Sequence, residues 1–150
     1  RVLAGHADAL DAAAVAATAA GALKTAHLAV AGGFHTSLMA PARAALEAAL
    51  VSVTFRAPRI PVLSNVTAAP FPGCPGPDGT PGDDAAAAAG IPALLARQLV
   101  EPVRWEETLA ALVYDRHKDR LVEVGPGGQI RAMVKRVDGG AWKAMECVGV

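Results

Sequence analysis

The chain has 150 residues, 53% of them hydrophobic but only 4% aromatic, and its formal net charge is zero. That length suits one domain, which would bury about 70% of the surface its unfolded chain exposes. Balanced charge argues against a general nucleic-acid binder, which would carry a basic stripe, and no apolar run reaches the roughly 18 residues of a membrane helix; neither nucleic acid nor membrane is expected as a partner. The chain opens Arg-Val-Leu-Ala-Gly, without an initiator Met or a signal peptide, which points to a processed or truncated start. Two cysteines, Cys74 and Cys147, show no pairing by spacing. Two free thiols in a reducing compartment are therefore expected.

In chain order, residues 1–4 read as a short apolar strand. The alanine-rich run from Asp8 to Ala20 reads as a helix ending at Gly21, a suitable residue just beyond a helix end. Residues 25–31 read as the next strand, with Gly32-Gly33 as its exit turn. An amphipathic helix follows from about Ser37 to Leu50, its apolar residues at helical spacing and Pro41 tolerable in the first turn. Residues 60–65 read as a short strand. The Pro/Gly-rich stretch 68–84 can hold neither helix nor central strand and is expected to be an exposed, mobile loop. A helix from about Ala85 or Ile91 reaches Leu99, Pro102 breaks the chain, and a second helix runs from about Val103 to Arg116. A buried strand at 120–124, a turn at Gly125-Pro-Gly-Gly128, a helix at 129–137 and a last strand at 142–148 complete the pattern. Alternating strands and helices predict an α/β fold with a mostly parallel sheet.

The residue of greatest chemical interest is His35, between an apolar β-type run and an amphipathic helix, in Gly-Gly-Phe-His-Thr-Ser-Leu-Met at 32–39. Open α/β sheets place their chemistry at the carboxyl ends of strands. A histidine suits general base work because its unperturbed pKa, about 6.5, lies near neutral pH. It could equally cap a helix or fill a hydrogen-bonding gap, and spacing alone leaves both readings open. No Gly-x-Ser-x-Gly nucleophile elbow occurs in the 150 residues. Phe34 reads either as core packing or as part of a pocket, and Asn65 as an Asx-type turn or as a polar group lining a site. Gly125-Pro-Gly-Gly128 lacks the lysine of a phosphate loop. His6, His27 and His117 share no ligand spacing, so no metal is expected. Arg131, Lys135 and Arg136 form a basic cluster on one helix, either a solvated face or a docking patch for an acidic protein.

The block at 32–39 resembles the Gly-x-Phe-His-[Ser/Thr]-x-Leu-Met motif of malonyl-CoA:acyl-carrier-protein transacylases. Pro41-Ala42, Ile60-Pro-Val-x-Ser-Asn-Val66, Gln98-Leu-x-x-Pro-Val-Arg-Trp105, Glu123-Val-Gly-Pro-Gly127 and Lys135-Arg136 continue the resemblance in family order. The stretch from Ala141-Trp-Lys143 to Val150 is more similar to organellar eukaryotic members than to bacterial ones.

The resemblance implies a large α/β-hydrolase-like part with an inserted ferredoxin-like part. Residues 1–33 would be the second half of the small part, and residues 34–150 the C-terminal part of the large one. It implies malonyl transfer from malonyl-CoA to the phosphopantetheine thiol of acyl carrier protein in type II fatty-acid synthesis, by a serine–histidine ping-pong mechanism without a cofactor. His35 would be the general base, and the main-chain carbonyl of Gln98 would orient its ring. Phe34 would favour malonyl over branched acyl groups, Asn65 would line the site, and Arg131, Lys135 and Arg136 would meet the carrier. The chain would supply the histidine and lack the serine; Ser37 and Ser64 do not sit in an elbow context. A complete protein would be a monomer, in the mitochondrial matrix rather than the plastid stroma, or else in a bacterial cytoplasm. The alternatives are an acyltransferase domain cut from a polyketide or fatty-acid synthase and a non-catalytic truncated partner. The 68–84 loop is longer than the family's usual connection.

Overall fold

The computed structural model describes residues 1–115 and 120–149. Two units emerge along the chain. The first comprises residues 1–62 and 71–103, the second residues 63–70 and 104 onward.

In the first unit, helix α1 (Ala7–Ala19) forms because alanine loses no side-chain entropy on helix formation. It ends as expected. Gly21 adopts φ +92°, its N–H donates to Thr18 O at 3.0 Å, and the N–H of Ala22 reaches Ala17 O at 3.0 Å. This pair of bonds satisfies carbonyls that a helix end otherwise orphans. Residues Ser37–Met39 make one 3₁₀ turn that leads into α2 (Ala40–Leu50), with Pro41 in its first turn. Helix α3 (Asp84–Gln98) packs against α2 and is capped by Asp83, whose carboxylate accepts the N–H groups of Ala85 and Ala86 at 2.8 and 3.2 Å. Its Ala87, Leu94 and Ala96 are buried.

The second unit holds the one ladder among the described residues. Strand β1 (Val122–Val124) pairs in parallel with β2 (Glu146–Val148), Val122 facing Glu146. Between them run α5 (Gln129–Val137) and α6 (Gly139–Ala144), the crossover that parallel pairing requires. Helix α4 (Trp105–Ala110), continued by a wider turn over Ala111–Asp115, packs on α5. The core is Leu109, Val134 and Met145, walled by Trp105, Leu121, Ile130 and Trp142. Each of these three buried side chains contributes roughly 1.5–3 kcal/mol. Mixed helix and parallel strand agree with the α/β class.

Several sequence expectations are corrected. Residues 1–4 and 25–31 join no ladder; Val2, Leu3, Leu28 and Val30 stay exposed, and the N–H of Val30 turns back on Leu28 O at 2.9 Å. Apolar alternation favours extended backbone, but a strand exists only once its N–H and C=O groups have a neighbour. Residues 60–65 make no regular strand, only the antiparallel bridge Leu63–Pro70. Residues 142–144 are helical rather than extended, because Asp138 accepts the N–H of Ala141 at 2.6 Å and caps α6. The helix from 103 begins instead at Trp105, and its expected end at Arg116 lies outside the described residues. The Pro/Gly loop is exposed at 77–83, but 71–76 are half-buried. Gly73 O accepts from the N–H of Asp83 at 3.1 Å, and Pro72 packs on Gly90 of α3.

Candidate active site

The candidate site is built by the turn at 32–36 and the C-terminus of α3, both in the first unit. Thr36 shapes the turn: its hydroxyl donates to Gly33 O at 2.6 Å and accepts the N–H of Leu38 at 3.2 Å. Gly33 lets the turn close tightly: a Cβ there would lie 2.9 Å from Leu38 Cδ1 and 3.3 Å from Thr36 Oγ1, so the exposed Leu38 side chain would have to shift. Between them His35, half-buried, adopts φ +62°, a left-handed conformation that non-glycine residues take at a cost of about 1–2 kcal/mol.

Two bonds hold that conformation. The backbone N–H of His35 donates to Leu99 O at 3.0 Å, and its ring Nδ1 lies 2.7 Å from Gln98 O. A carbonyl oxygen only accepts, so Nδ1 carries the hydrogen and, in the neutral ring, Nε2 keeps its lone pair. The nitrogen with an available lone pair is thus Nε2. The contact from Gln98 is made by its main-chain carbonyl and not by its side chain.

The turn that carries those carbonyls is clamped by a two-pronged ion pair, Arg97 Nε and Nη2 to the Glu101 carboxylate at 2.6 and 3.0 Å. The Arg97 guanidinium holds the Glu101 carboxyl below the usual carboxylate range. His35 and Phe34 line one cleft of about 860 Å³, with Leu3, Leu10, Leu28 and Val30 on its apolar walls.

The remaining candidates belong to the second unit. Asn65 is half-buried, and its backbone carbonyl accepts the N–H of Arg104 at 2.8 Å. The side-chain turn at this point is made by Ser64, whose buried hydroxyl accepts from the N–H of Val66 at 3.2 Å, so the Asx-turn reading of Asn65 is not what forms. Arg131 and Lys135 both face the Trp142 ring, at 5.5 and 4.6 Å from its centroid. They therefore help pack α5 on α6 through cation–π attraction. Lys135 and Arg136 remain exposed.

Glu123 is a residue the sequence reading missed. Buried on β1, its carboxylate accepts the N–H groups of Ile130 and Arg131 at 3.0 Å each, which holds its pKa below the ordinary glutamate value. It fills the N-terminus of α5, where a phosphate would have to bind. The Gly125–Gly128 turn is therefore structural. Beside it, burial and then the bond to Glu123 push the Cys147 thiol upward. Among the described residues no cluster of three His, Cys, Asp or Glu side chains could share a metal ion; His27 sits 3.3 Å from Asp11, and His117 lies outside them.

No family model matches the chain. It is similar to the human mitochondrial malonyl-CoA–acyl carrier protein transacylase, 38% identical over 154 residues that cover 100% of this chain and 36% of that protein. The Salmonella typhimurium transacylase is 36% identical over 91% of this chain and 39% of its own length. Among solved structures, an acyl-carrier-protein S-malonyltransferase from Bartonella henselae superposes with a TM-score of 0.77 at 29% identity, over 97% of this chain and 41% of that one. A malonyl-transacylase solved in complex with its type II polyketide acyl-carrier protein gives 0.75 at 30% identity, over 97% of this chain and 41% of that one. The chain thus spans about two-fifths of the length of the relatives it matches.

Proposed function

We propose that this chain, homologous over its length to malonyl-CoA–acyl carrier protein transacylases, supplies the histidine base of such an enzyme in type II fatty-acid synthesis. The observation that carries the reading is the 2.7 Å bond from His35 Nδ1–H to Gln98 O, which leaves Nε2 free to take a proton. The serine nucleophile would come from outside these 150 residues. In the first half-reaction Nε2 accepts the serine proton as the oxygen attacks the malonyl thioester; the C–S bond breaks, and the departing CoA sulfur takes that proton. In the second, Nε2 accepts the proton of the carrier's phosphopantetheine thiol, sulfur attacks the malonyl ester, and the proton returns to the serine oxygen. Both halves need one fixed lone pair, and the carbonyl of Gln98 selects it.

Phe34, on the same cleft as His35, is assigned to the malonyl pocket; Asn65 is assigned to substrate binding on the family resemblance alone. Carrier docking falls to the exposed cations Lys135 and Arg136 with Arg131, a weaker assignment because Trp142 already engages two of them. The human and mouse relatives are named as mitochondrial, which supports a mitochondrial location; the matrix is the compartment proposed within it. A free-standing transacylase is preferred over a synthase domain because the human and Salmonella relatives are both named as transacylases; the salinomycin polyketide synthase acyltransferase, with a TM-score of 0.72 at 26% identity, superposes about as well as the Clostridium perfringens transacylase, at 0.73 and 25%.

The test is His35→Ala in the full-length protein, with malonyl transfer from malonyl-CoA to acyl carrier protein as readout. Turnover should fall by about 10²–10⁴-fold, the usual cost of removing a general base, while malonyl-CoA binding survives. Near-normal turnover would make His35 a structural residue.

A further inference from the structure

We propose that Pro102 is a positioning residue for His35, leaving free the two carbonyls that hold it. The inference rests on His35 being the base. In an α-helix the N–H of each residue bonds to the carbonyl four residues earlier. Helix α3 ends at Gln98, and the turn after it tightens: the N–H groups of Leu99 and Val100 reach three residues back, to Ala96 O at 3.3 Å and Arg97 O at 3.1 Å, before that of Glu101 returns to the four-residue spacing at Arg97 O, 3.0 Å. The next N–H, at position 102, would claim Gln98 O, and the one after it Leu99 O. Proline has no N–H to give, and it disfavours helical backbone at the residue before it. After Glu101 no further bond four residues back forms, and His35 takes the two open acceptors, Gln98 O with its ring and Leu99 O with its backbone. The Arg97–Glu101 ion pair ties down the same turn from the side, at 2.6 and 3.0 Å.

A proline that merely ends a helix would be replaceable by any residue that ends one. Glycine also ends helices but carries an N–H, and alanine both continues the helix and carries one. Pro102→Ala and Pro102→Gly each return a competitor for Gln98 O. The readout is the ¹⁵N NMR spectrum of the His35 ring in the full-length protein at alkaline pH, where the neutral tautomers differ. The wild type should show Nδ1–H. Pro102→Ala should move a measurable fraction to Nε2–H and lower kcat by about three- to tenfold, the worth of one neutral hydrogen bond, with KM for malonyl-CoA unchanged. Pro102→Gly should shift the tautomer in the same direction, and it carries the test if the alanine variant does not fold.

An Nε2–H wild-type ring overturns the proposal before any variant is made. So does a folded variant of either kind that keeps the wild-type tautomer. Loss of turnover in His35→Ala with an unmoved tautomer in the Pro102 variants sinks only this inference. Normal turnover in His35→Ala sinks the base reading itself, whatever Pro102 does.

Discussion

The backbone N–H of His35 donates to the carbonyl of Leu99 at 3.0 Å, one residue beyond the carbonyl that holds its ring. One residue is therefore anchored at two points on one helix end, by its ring and by its backbone, and the backbone anchor holds a left-handed conformation at φ +62°. Asparagine tolerates that conformation well, and β-branched residues do not. His35→Asn should leave the thermal midpoint within a few degrees of wild type while abolishing base function. His35→Val should cost about 1–2 kcal/mol more in stability. Chemical denaturation of the pair measures the difference, and equal stabilities would show that the turn tolerates any residue at this position.

Glu123 makes stability depend on acid. Its carboxylate accepts two N–H groups at the start of α5, and its pKa is lowered chiefly by those bonds to Ile130 and Arg131. Between the folded value and the ordinary glutamate value of about 4.3, the unfolded chain binds more protons than the folded one. The stabilisation is then complete above the ordinary value and is lost as pH falls through the folded one. Glu123→Gln should lower Tm by about 5 °C at neutral pH and flatten the acid limb of the Tm-against-pH curve. A variant with the same acid limb as wild type would show that another carboxylate controls it.

The end of α1 was legible because its cause is local: Gly21 follows an alanine run and acts within a few residues, whereas Asp83, the cap of α3, fell inside the stretch read as a loop. Pairing is not local. Residues 1–4 and 25–31 have the apolar pattern of strands, yet their backbone groups form no ladder, and nothing in their own sequence encodes whether a neighbour is present. Residues 142–144 look like a strand by apolarity, but Asp138, four residues upstream of Trp142, decides for helix by capping. Glu123 was hidden for a related reason: its partners lie seven and eight residues on, across a turn whose geometry the sequence does not show. A glutamate inside an apolar strand, just before a Gly-rich turn and a helix, was the available signal. At the site, the contact between the Gln98 backbone and His35 was expected from family resemblance alone, and the left-handed His35 had no signature in the residue pattern.

The Pro/Gly loop offers a check on how firmly it is seated. Gly73 adopts φ +78°, and a Cβ there would meet the backbone of Asp83 and lie 2.7 Å from Ala87 N and 2.8 Å from Ala87 Cβ. Neither backbone atom can step aside without unseating the first turn of α3. Gly73→Ala should therefore destabilise by more than about 1 kcal/mol, whereas Gly79→Ala, at φ +87° on the exposed tip with open space around it, should cost only the strain of its conformation. Equal losses in urea titrations would mean that 71–76 do not pack on α3.

Phe34 tests the acyl pocket. It precedes His35, is 44% exposed, and lines the same cleft as that histidine. A phenyl ring beside the reacting acyl group would crowd an α-methyl branch more than a plain malonyl group. Shrinking it should relieve that crowding without touching the Nδ1–H bond that sets the base. Phe34→Ser in the full-length protein should raise the methylmalonyl-to-malonyl ratio of kcat/KM by about tenfold to a few hundredfold, because a methyl-sized difference in an apolar pocket is worth about 1–3 kcal/mol. The exposure of the ring argues that little core packing is lost, so the variant should stay folded and active on malonyl-CoA. An unchanged ratio in a folded, active variant would place the phenyl ring outside the acyl pocket and leave the discrimination to residues elsewhere on the cleft.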